Sequence, residues 1–510
     1  MRPTSPSTAI RLLAAACAAA ALAGCASTPP GATAAATTAA SAPAHAVPAS
    51  QIDRARNVIF FLGDGMGINT LTAARIYAVG ESGELTIDTL PESAFVKTFS
   101  NDAQVTDSAA SMSAYMTGVK QNNGVISMSA DTQAIAPGAD GRSRCSNGNP
   151  MPTLLELARR QGLAAGIVTT TSVTDATPAA TYAHACHRKL QDDIAAMMVP
   201  GGAGYNAALG RGLDLVFGGG AAHFLPAAKG GRRGDGRDLL AELQVGGYRI
   251  VDTSAGFAQL APQSAQSQPA QPQTQPQFRR VIGLFAPDDL AYDAERDPAK
   301  QPSLPEMTRT AIALLAERSA ANNQGFFLMV EGGRIDHALH DSRAKRALQE
   351  TVQFDAALKT AIDEMRRRDP GLKHTLIVAT ADHDHTLLIN GYSPRSGRST
   401  DASPGVLGLV RSLPDGKVKL DKDGAPYTVL GFGTGEHRIN GSRAAQAGLT
   451  DAIASADDYR QEAAVRTAPG EETHGGADVY LGAIGASAET FRGTIDNTRV
   501  FSLIKEAAGW

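Results

Sequence analysis

Residues 326–340 of this chain read Phe-Phe-Leu-Met-Val-Glu-Gly-Gly-Arg-Ile-Asp-His-Ala-Leu-His. The apolar run at residues 326–330 is typical of a fully buried strand. Glu331, Asp336, His337 and His340 follow it within ten residues. Such a group of carboxylates and imidazoles after a buried strand costs free energy unless cations neutralise it. Since His340 lies four residues after Asp336, one turn of helix would direct both side chains toward one metal ion.

Four further apolar runs, at residues 58–62, 166–170, 213–217 and 375–380, also end in polar or metal-binding residues. Helical patterns lie between them, for example at residues 306–318 and 342–368. Strands that alternate with helices predict an α/β fold in three layers, with a mostly parallel central sheet flanked by helices on both faces. Because functional groups gather at the carboxyl ends of such strands, we expect the polar clusters to meet there.

Length and charge restrict the classes of partner. The chain has 510 residues and a formal net charge of -4, with nearly balanced basic and acidic residues. This balance gives no cationic field that would collect nucleic acid or an anionic membrane surface, so we expect no nucleic-acid partner. The length exceeds the usual single-core size, but α/β enzymes with one sheet reach it through inserted loops and subdomains.

The N-terminus has the pattern of an export sequence. Arg2 and Arg11 precede an apolar run at residues 12–24. This run is too short to span a bilayer but suits a signal peptide over residues 1–24. Residues 22–25, Leu-Ala-Gly-Cys, resemble the lipobox of bacterial lipoproteins, whereas the alternative is an ordinary Ala-x-Ala cleavage site. We predict an exported lipoprotein of the periplasm or cell envelope, which contacts the membrane only through a lipid anchor at Cys25.

The rest of the chain divides by composition. Residues 25–50 contain mostly Ala, Thr, Pro and Ser, which is typical of a flexible tether. Residues 51–510 then form the predicted folded domain. Within it, residues 261–277 predict a solvated low-complexity loop, and residues 390–470, rich in Gly, Ser and Asp, predict an inserted surface subdomain.

The chain has four cysteines. Cys17 lies in the predicted signal peptide and Cys25 at the predicted lipidation site. Cys145 and Cys186 remain as a candidate disulfide pair in an oxidising compartment, although sequence alone cannot place them within bridging distance.

Two motifs place an acid or a hydroxyl at a turn. Asp64 lies between two glycines directly after the run at residues 58–62, where its carboxylate would face the mouth of the sheet, although many Asp-Gly pairs are only turns. Ser108, in Thr-Asp-Ser-Ala-Ala-Ser, begins a predicted helix that ends near residue 117. A serine at a helix N-terminus is placed to stabilise a phosphoryl oxygen, but Asp107 or Ser108 could equally be a helix cap.

Asp175 and Thr177 offer oxygen ligands that suit magnesium. Arg188 could bind a phosphate through two parallel hydrogen bonds, and its alternative is a surface arginine. Asp382 and His383 follow the run at residues 375–380, and both could reach a zinc ion if the chain bends there.

Two further motifs are less specific by themselves. Asp384 and His385 could lie behind the ligands or in solvent. A lone histidine such as His474 is more often an ordinary core or surface residue, so its weight comes only from the whole set of motifs.

Six segments have now been described, which contain Asp64, Ser108, Asp175, Glu331, Asp382 and His474. Taken in chain order and at these spacings, they resemble the alkaline phosphatase family from about residue 57 to the C-terminus. Intervening phrases at residues 117–120, 122–124 and 218–220 agree with it. The resemblance implies a phosphomonoesterase with two zinc ions and one magnesium ion, which acts on small phosphate monoesters through a phosphoserine intermediate. Since family members are often dimers, it also implies a homodimer.

The resemblance further implies a role for each residue. It implies three sets of metal ligands: Asp336, His340 and His474 for the first zinc, Asp64, Asp382 and His383 for the second zinc, and Asp64, Thr177 and Glu331 for magnesium. Ser108 would be the nucleophile and Arg188 the substrate-binding cation. Asp175 and His337 would lie near the magnesium without binding it directly.

Two alternatives remain. One is a phosphodiesterase or sulfatase of the same superfamily, but Ser108 and Arg188 favour a dianionic monoester, because diesterases often use threonine and sulfatases need a distinct Cys/Ser motif. The other is a catalytically idle lipoprotein that captures phosphate or metals. Every candidate ligand is present, which argues against loss of activity.

Overall fold

The computed structural model describes residues 54–138, 143–260, 280–320 and 324–510. The predicted signal peptide, the tether, the lipid anchor at Cys25 and the loop at residues 261–277 lie outside these residues, so they stay predictions. No helix in the described ranges combines the length and the apolar character that a bilayer crossing requires.

The strands of the described residues are β1 Asn57–Gly63, β2 Glu92–Lys97, β3 Ala164–Ser172, β4 Leu215–Gly219, β5 Tyr248–Val251, β6 Arg280–Leu284, β7 Phe326–Gly332, β8 Thr375–Ala381, β9 Asp384–His385, β10 Leu387–Ile389, β11 Leu430–Gly435, β12 Ala463–Arg466, β13 His474–Gly475, β14 Val479–Gly485 and β15 Gly493–Asp496.

The α-helices of the described residues are α1 Ile68–Val79, α2 Ser108–Thr117, α3 Leu154–Arg160, α4 Ala176–Ala179, α5 Gln191–Ala196, α6 Leu239–Val245, α7 Ser254–Ala258, α8 Leu304–Ala320, α9 Arg334–His340, α10 Ala344–Arg368, α11 Asp451–Ala454 and α12 Asn497–Ala508.

Ten strands form one mixed sheet in the order β15-β2-β14-β8-β1-β7-β3-β4-β6-β5. The seven neighbouring strands from β8 to β5 are parallel, whereas β14 is antiparallel to β8 and β2. The five predicted strands are β1, β3, β4, β7 and β8, all within the parallel part. The prediction at residues 213–217 is shifted by two residues, because Asp214 uses its carboxylate to accept from Ala165 N and to pair with Arg159 before β4 begins.

The parallel strands are buried on both faces. Every residue of β3, β4, β7 and β8 is buried, which is why each strand contains a continuous apolar run and not an alternating pattern. Helix α10 packs against α1, α8 and α9, and α2 packs against α3, α4 and α12 as a second group. Both groups contact the central strands, so the predicted three-layer α/β fold is confirmed.

The segment at residues 390–470 has a small structure of its own. Strands β11 and β12 join β10 in a separate three-stranded sheet. Leu409, Leu449 and Ala454 form an apolar cluster apart from the main core. These features agree with an inserted subdomain, whose boundaries stay a prediction.

Cys145 and Cys186 are joined by a disulfide bond. The candidate pair from the sequence is therefore a bonded pair in the structure. Since Cys186 lies two residues before Arg188, the bond tethers the segment that carries this arginine to the segment around residue 145.

Candidate active site

The register of three parallel strands assembles the acidic residues. Gly63 at the end of β1 is paired with Gly332 of β7 and with Ala381 of β8. Asp64, Glu331 and Asp382 therefore lie side by side at the carboxyl ends of the strands, as the sequence predicted. All three carboxylates are buried.

A glycine is required beside Asp64. Gly65 has a φ of 64°, and a Cβ at this position would lie 2.5 Å from the His385 ring. The backbone N–H of Gly65 donates to Asp382 Oδ1 at 2.9 Å. The turn therefore brings the chain close against the site in a conformation that favours glycine.

One cluster, here called the Asp336 group, contains Asp336, His340, His385 and His474. Helix α9 directs Asp336 and His340 to the same side, with 3.4 Å between Asp336 Oδ1 and His340 Nε2. His474 Nε2 lies 3.5 Å from the same oxygen and His385 Nε2 lies 2.7 Å from it. The three predicted ligands of the first metal are thus together, with His385 as a fourth member.

The ring nitrogens of the Asp336 group fit a bound cation. His340 Nδ1 contacts the Glu472 carbonyl, and His474 Nδ1 contacts the Thr106 carbonyl at 2.9 Å. Because a carbonyl only accepts, each Nδ1 carries a proton, and the neutral form of each ring presents a lone pair at Nε2. The two Nε2 atoms lie 3.2 Å apart, so two lone pairs face one another beside a carboxylate. A metal ion between them resolves this arrangement.

The second cluster, here called the Asp64 group, contains Asp64, Asp382 and His383. His383 Nε2 lies 3.4 Å from Asp64 Oδ1 and 3.3 Å from Asp382 Oδ2. Asp382 Oδ2 is buried and has no hydrogen-bond partner among the described residues. A buried carboxylate oxygen without a partner is costly, so this group also fits a cation. The His383 and His474 rings stack with their centroids 3.6 Å apart, which makes the two groups neighbours.

Glu331 and Thr177 extend the site with oxygen atoms. Thr177 Oγ1 donates to Asp64 Oδ2 at 3.3 Å. Glu331 Oε2 accepts from Thr169 and from Thr171, with 3.1 Å to Thr171 Oγ1. These oxygen donors are chemically different from the two groups that contain imidazoles.

Ser108 lies at the N-terminus of α2, against the Asp64 group. Its hydroxyl is buried, 3.3 Å from Asp64 Oδ1 and 3.3 Å from His383 Nε2. Asp107 is the helix cap, since its Oδ1 accepts from Ala110 N at 3.0 Å. The alternative that Ser108 itself is the cap is therefore wrong, and its hydroxyl faces the acidic cluster.

Arg188 is held beside the serine by two carboxylates. Its Nη1 donates to Asp107 Oδ2 at 3.2 Å and its Nη2 donates to Asp175 Oδ1 at 3.3 Å. The arginine is therefore aimed by fixed partners and is not a mobile surface side chain. His337, at the rim, lies 3.9 Å from Asp175 Oδ2 and accepts from Arg334 Nη1 at 2.7 Å.

Comparisons with known proteins agree with this geometry. The family model described as alkaline phosphatase matches residues 55–510. The chain belongs to the alkaline phosphatase family. It is 34% identical over 483 residues to the human alkaline phosphatase, tissue-nonspecific isozyme, and the match covers 89% of this chain and 84% of that protein. It is also 34% identical to the membrane-bound alkaline phosphatase of Bombyx mori, over 88% of this chain and 78% of that protein.

Solved structures show the same fold. The alkaline phosphatase of Thermus thermophilus superposes with a TM-score of 0.60 at 26% identity, over 92% of this chain and 96% of that one. The chain is therefore a phosphoric monoester hydrolase of the alkaline phosphatase family, and its fold and metal-dependent class agree with the expectation from sequence.

The clustered carboxylates give this alkaline phosphatase site an excess of negative charge. Burial raises the pKa of Asp64 well above its ordinary value, and the charges of Asp382, Asp336 and Glu331 raise it further. Burial raises the pKa of Glu331 to about 8 and that of Asp382 to about 6. These raised pKa values mean that the carboxylates oppose one another's ionisation. Bound cations would stabilise their ionised forms.

Asp336 and His383 behave differently. Although burial opposes it, the neighbouring imidazoles of His340 and His385 hold the pKa of Asp336 well below its ordinary range. Burial lowers the pKa of His383 to about 3, so this ring is neutral and able to bind a metal.

The sequence left His385 open between a place behind the metal ligands and solvent, and it gave Glu472 no role. His385 Nε2 donates to Asp336 Oδ1 while its Nδ1 donates to Glu472 Oε2. Glu472 is buried, and its Oε1 accepts from Thr386 N at 2.8 Å. Antiparallel pairing of β13 with β9 brings the two motifs together. The available sequence signal was the glutamate two residues before His474.

Proposed function

We propose that this alkaline phosphatase hydrolyses phosphate monoesters through a phosphoserine on Ser108, with zinc ions in the Asp336 and Asp64 groups and magnesium at Asp64, Thr177 and Glu331. The mixed nitrogen and oxygen donors of the two groups suit zinc, and the all-oxygen set suits magnesium. The observation that carries the proposal is the pair of facing Nε2 atoms of His340 and His474 beside Asp336. This pair neighbours the Asp64 group, which the Ser108 hydroxyl contacts.

When bound, these cations supply positive charge that favours the ionised serine and the departing oxygen. Ser108 Oγ, whose proton passes to solvent, attacks phosphorus, so that an Oγ–P bond forms while the bond from phosphorus to the ester oxygen breaks. The alcohol leaves with a proton taken from water. Water then attacks the phosphoserine, which breaks the Oγ–P bond and releases inorganic phosphate.

The chain's own groups orient the phosphoryl group during both steps. Arg188 presents a planar guanidinium with donors that fit two phosphate oxygens. The free amides at the N-terminus of α2 add partial positive charge at Ser108. These groups act by positioning and by electrostatic stabilisation of charge on the equatorial oxygens.

A direct test is detection of the covalent intermediate. The holoenzyme is mixed with a phosphate monoester, quenched in acid and digested, and the peptide that contains Ser108 is examined by mass spectrometry. We expect one added phosphoryl group on Ser108. Hydrolysis without a phosphorylated Ser108, under conditions that trap other phosphoserine enzymes, would contradict the mechanism.

Replacement of Arg188 tests substrate binding. Arg188→Ala is expected to lower kcat/KM by roughly 10- to 1000-fold, mostly through a higher KM, because each charge-assisted hydrogen bond contributes about 1.5–3 kcal/mol. Arg188→Lys should recover little, because lysine cannot make two parallel bonds. Steady-state kinetics and inhibition by phosphate measure both effects. Lys189→Ala, which removes an exposed neighbouring charge, is the control and should match the wild type.

Replacement of Glu472 tests support of the Asp336 group. Glu472→Gln removes the charge that holds His385 against Asp336 and is expected to weaken metal affinity by about 10- to 100-fold. Metal retained at a series of buffered free-zinc concentrations measures this. Glu471→Gln, an exposed neighbour, is the matched control. Equal zinc affinity in both variants would show that Glu472 does not position the group.

We also propose that the enzyme is exported, is anchored through lipid on Cys25 and acts on small-molecule monoesters as a homodimer. Support comes from the N-terminal sequence pattern and from the Cys145–Cys186 bond, which suits an oxidising compartment. Labelling with a radioactive fatty acid, compared between wild type and Cys25→Ser, tests the anchor, and sedimentation of the purified enzyme tests the dimer. Equal labelling of both chains, or a monomer, would overturn the respective part.

A further inference from the structure

A cationic cavity lies at the end of the sheet opposite to Ser108. Its volume is about 230 Å³, and it is lined by Arg159, Gly162, Ala164, Gly210, Arg211, Arg318, Ser319, Gln324 and Gly325. Ala164 begins β3 and Gly325 directly precedes β7. The cavity therefore lies at the amino ends of parallel strands whose carboxyl ends carry the active site.

The lining of this cavity carries three arginines and no acidic side chain among the residues that form it. The buried Asp214 pairs with two of the arginines. Arg159 Nη1 lies 2.7 Å from Asp214 Oδ2, and Arg318 Nε lies 2.6 Å from Asp214 Oδ1. One carboxylate thus neutralises one of the guanidinium groups, and the cavity keeps an excess of positive charge.

Arg211 does not take part in the ion pairs with Asp214. It is exposed, and within the described ranges its guanidinium makes no hydrogen bond or ion pair with another residue. Although Asp214 opposes the shift, burial first and then the charges of Arg159, Arg280 and Arg211 lower the pKa of Arg318. Cations that destabilise one another around an open space favour an anion in that space.

The arginines are fixed to rigid elements. Asp214 N donates to Ala165 O at 2.9 Å, and Ala165 N donates to Asp214 Oδ2 at 2.9 Å. Arg159 Nη1 also donates to Leu163 O at 2.8 Å. The guanidinium groups of Arg159 and Arg318 are therefore held in place at the amino ends of the strands before any ligand binds. This lowers the entropic cost of binding.

We propose that this cavity binds a tetrahedral oxyanion, inorganic phosphate, at a site separate from the active site. A water molecule takes up about 30 Å³, so the space holds a phosphate ion with several waters. Guanidinium groups match phosphate oxygens in geometry as well as in charge. The site does not depend on Ser108, on the metals or on turnover, although phosphate released by hydrolysis would fill it.

The test counts phosphate sites on the metal-loaded enzyme by equilibrium dialysis with radiolabelled inorganic phosphate. The wild type is expected to bind two phosphates per chain. Arg211→Gln should weaken one of them by at least about tenfold, because a charged donor is lost, and should leave kcat/KM unchanged. Arg188→Gln should weaken the other one. Arg160→Gln, which removes an exposed charge on the same helix as Arg159 but outside the lining, should bind two.

A second variant controls for the case in which Arg211→Gln changes the folding of the cavity. Gln324→Glu adds a negative charge to the lining without removal of an arginine, and it should also lose the second phosphate while it keeps full hydrolysis. One phosphate per chain in the wild type, or two in Arg211→Gln and Gln324→Glu, would overturn the proposal. Loss of hydrolysis in the wild type with cavity binding intact would instead refute the proposed function alone. Sulfate should compete with phosphate at the Arg211-dependent site if the site recognises tetrahedral oxyanions in general, and should not compete if it binds phosphate alone.

Discussion

Ser108→Ala is expected to lose roughly a thousandfold or more of its phosphate-monoester hydrolysis while it keeps its metal ions. The Ser108 hydroxyl lies 3.3 Å from both Asp64 Oδ1 and His383 Nε2, so it is the hydroxyl that faces the proposed metal site. Alanine removes the attacking oxygen but leaves every proposed metal ligand in place. Phosphate release from a chromogenic monoester at alkaline pH, together with elemental analysis, measures both parts.

A matched control is available in the same helix. Ser113→Ala removes a buried hydroxyl of α2 that accepts from Ser127 N at 2.8 Å and has no contact with the Asp64 group. This variant should keep most of its activity. If Ser108→Ala hydrolysed the ester at a rate near that of Ser113→Ala, the phosphoserine mechanism would have to be abandoned.

Removal of the metal ions is expected to abolish hydrolysis and to destabilise the fold. Asp64, Glu331, Asp336 and Asp382 are four buried carboxylates within one site. Without cations their repulsion is unbalanced, and each bound ion contributes about 4 kcal/mol when its free concentration is 1,000 times its dissociation constant. We expect loss of activity after dialysis against a chelator, a lower melting temperature by calorimetry, and recovery of both with zinc plus magnesium.

The choice of restored metal and of substrate makes this experiment specific. Magnesium alone should not restore hydrolysis, because the Asp336 and Asp64 groups offer imidazole nitrogen that magnesium does not favour. A phosphate diester tested in parallel should be a poor substrate of the restored enzyme. Equal rates on diester and monoester would favour the diesterase alternative, and full activity after complete removal of metal would contradict the metal-dependent account.

The sequence predicted the central part of the fold because burial on both faces leaves an unmistakable pattern. Strands β1, β7 and β8 contain the apolar runs 58–62, 326–330 and 376–379. An acidic residue of the site follows each run within three residues. Once parallel strands are assumed, their register alone brings Asp64, Glu331 and Asp382 together. Helix α9 likewise follows from the four-residue spacing of Asp336 and His340.

Other features depend on tertiary contacts that no local pattern records. Strands β2 and β15, at one edge of the sheet, are short and partly exposed, so their sequences do not read as buried strands. His385 and Glu472 meet only because β9 and β13, which are two residues each, are paired. The arginine cavity brings together residues from four separate segments of the chain, and none of them forms a motif with its sequence neighbours.

Diffraction from crystals of the purified enzyme at the zinc absorption edge tests the central claim most directly. We predict two anomalous peaks per chain, one among Asp336, His340 and His474 and one among Asp64, Asp382 and His383, with the second beside Ser108. Crystals grown with zinc that showed no peak in either group, or peaks elsewhere with both groups empty, would contradict the account.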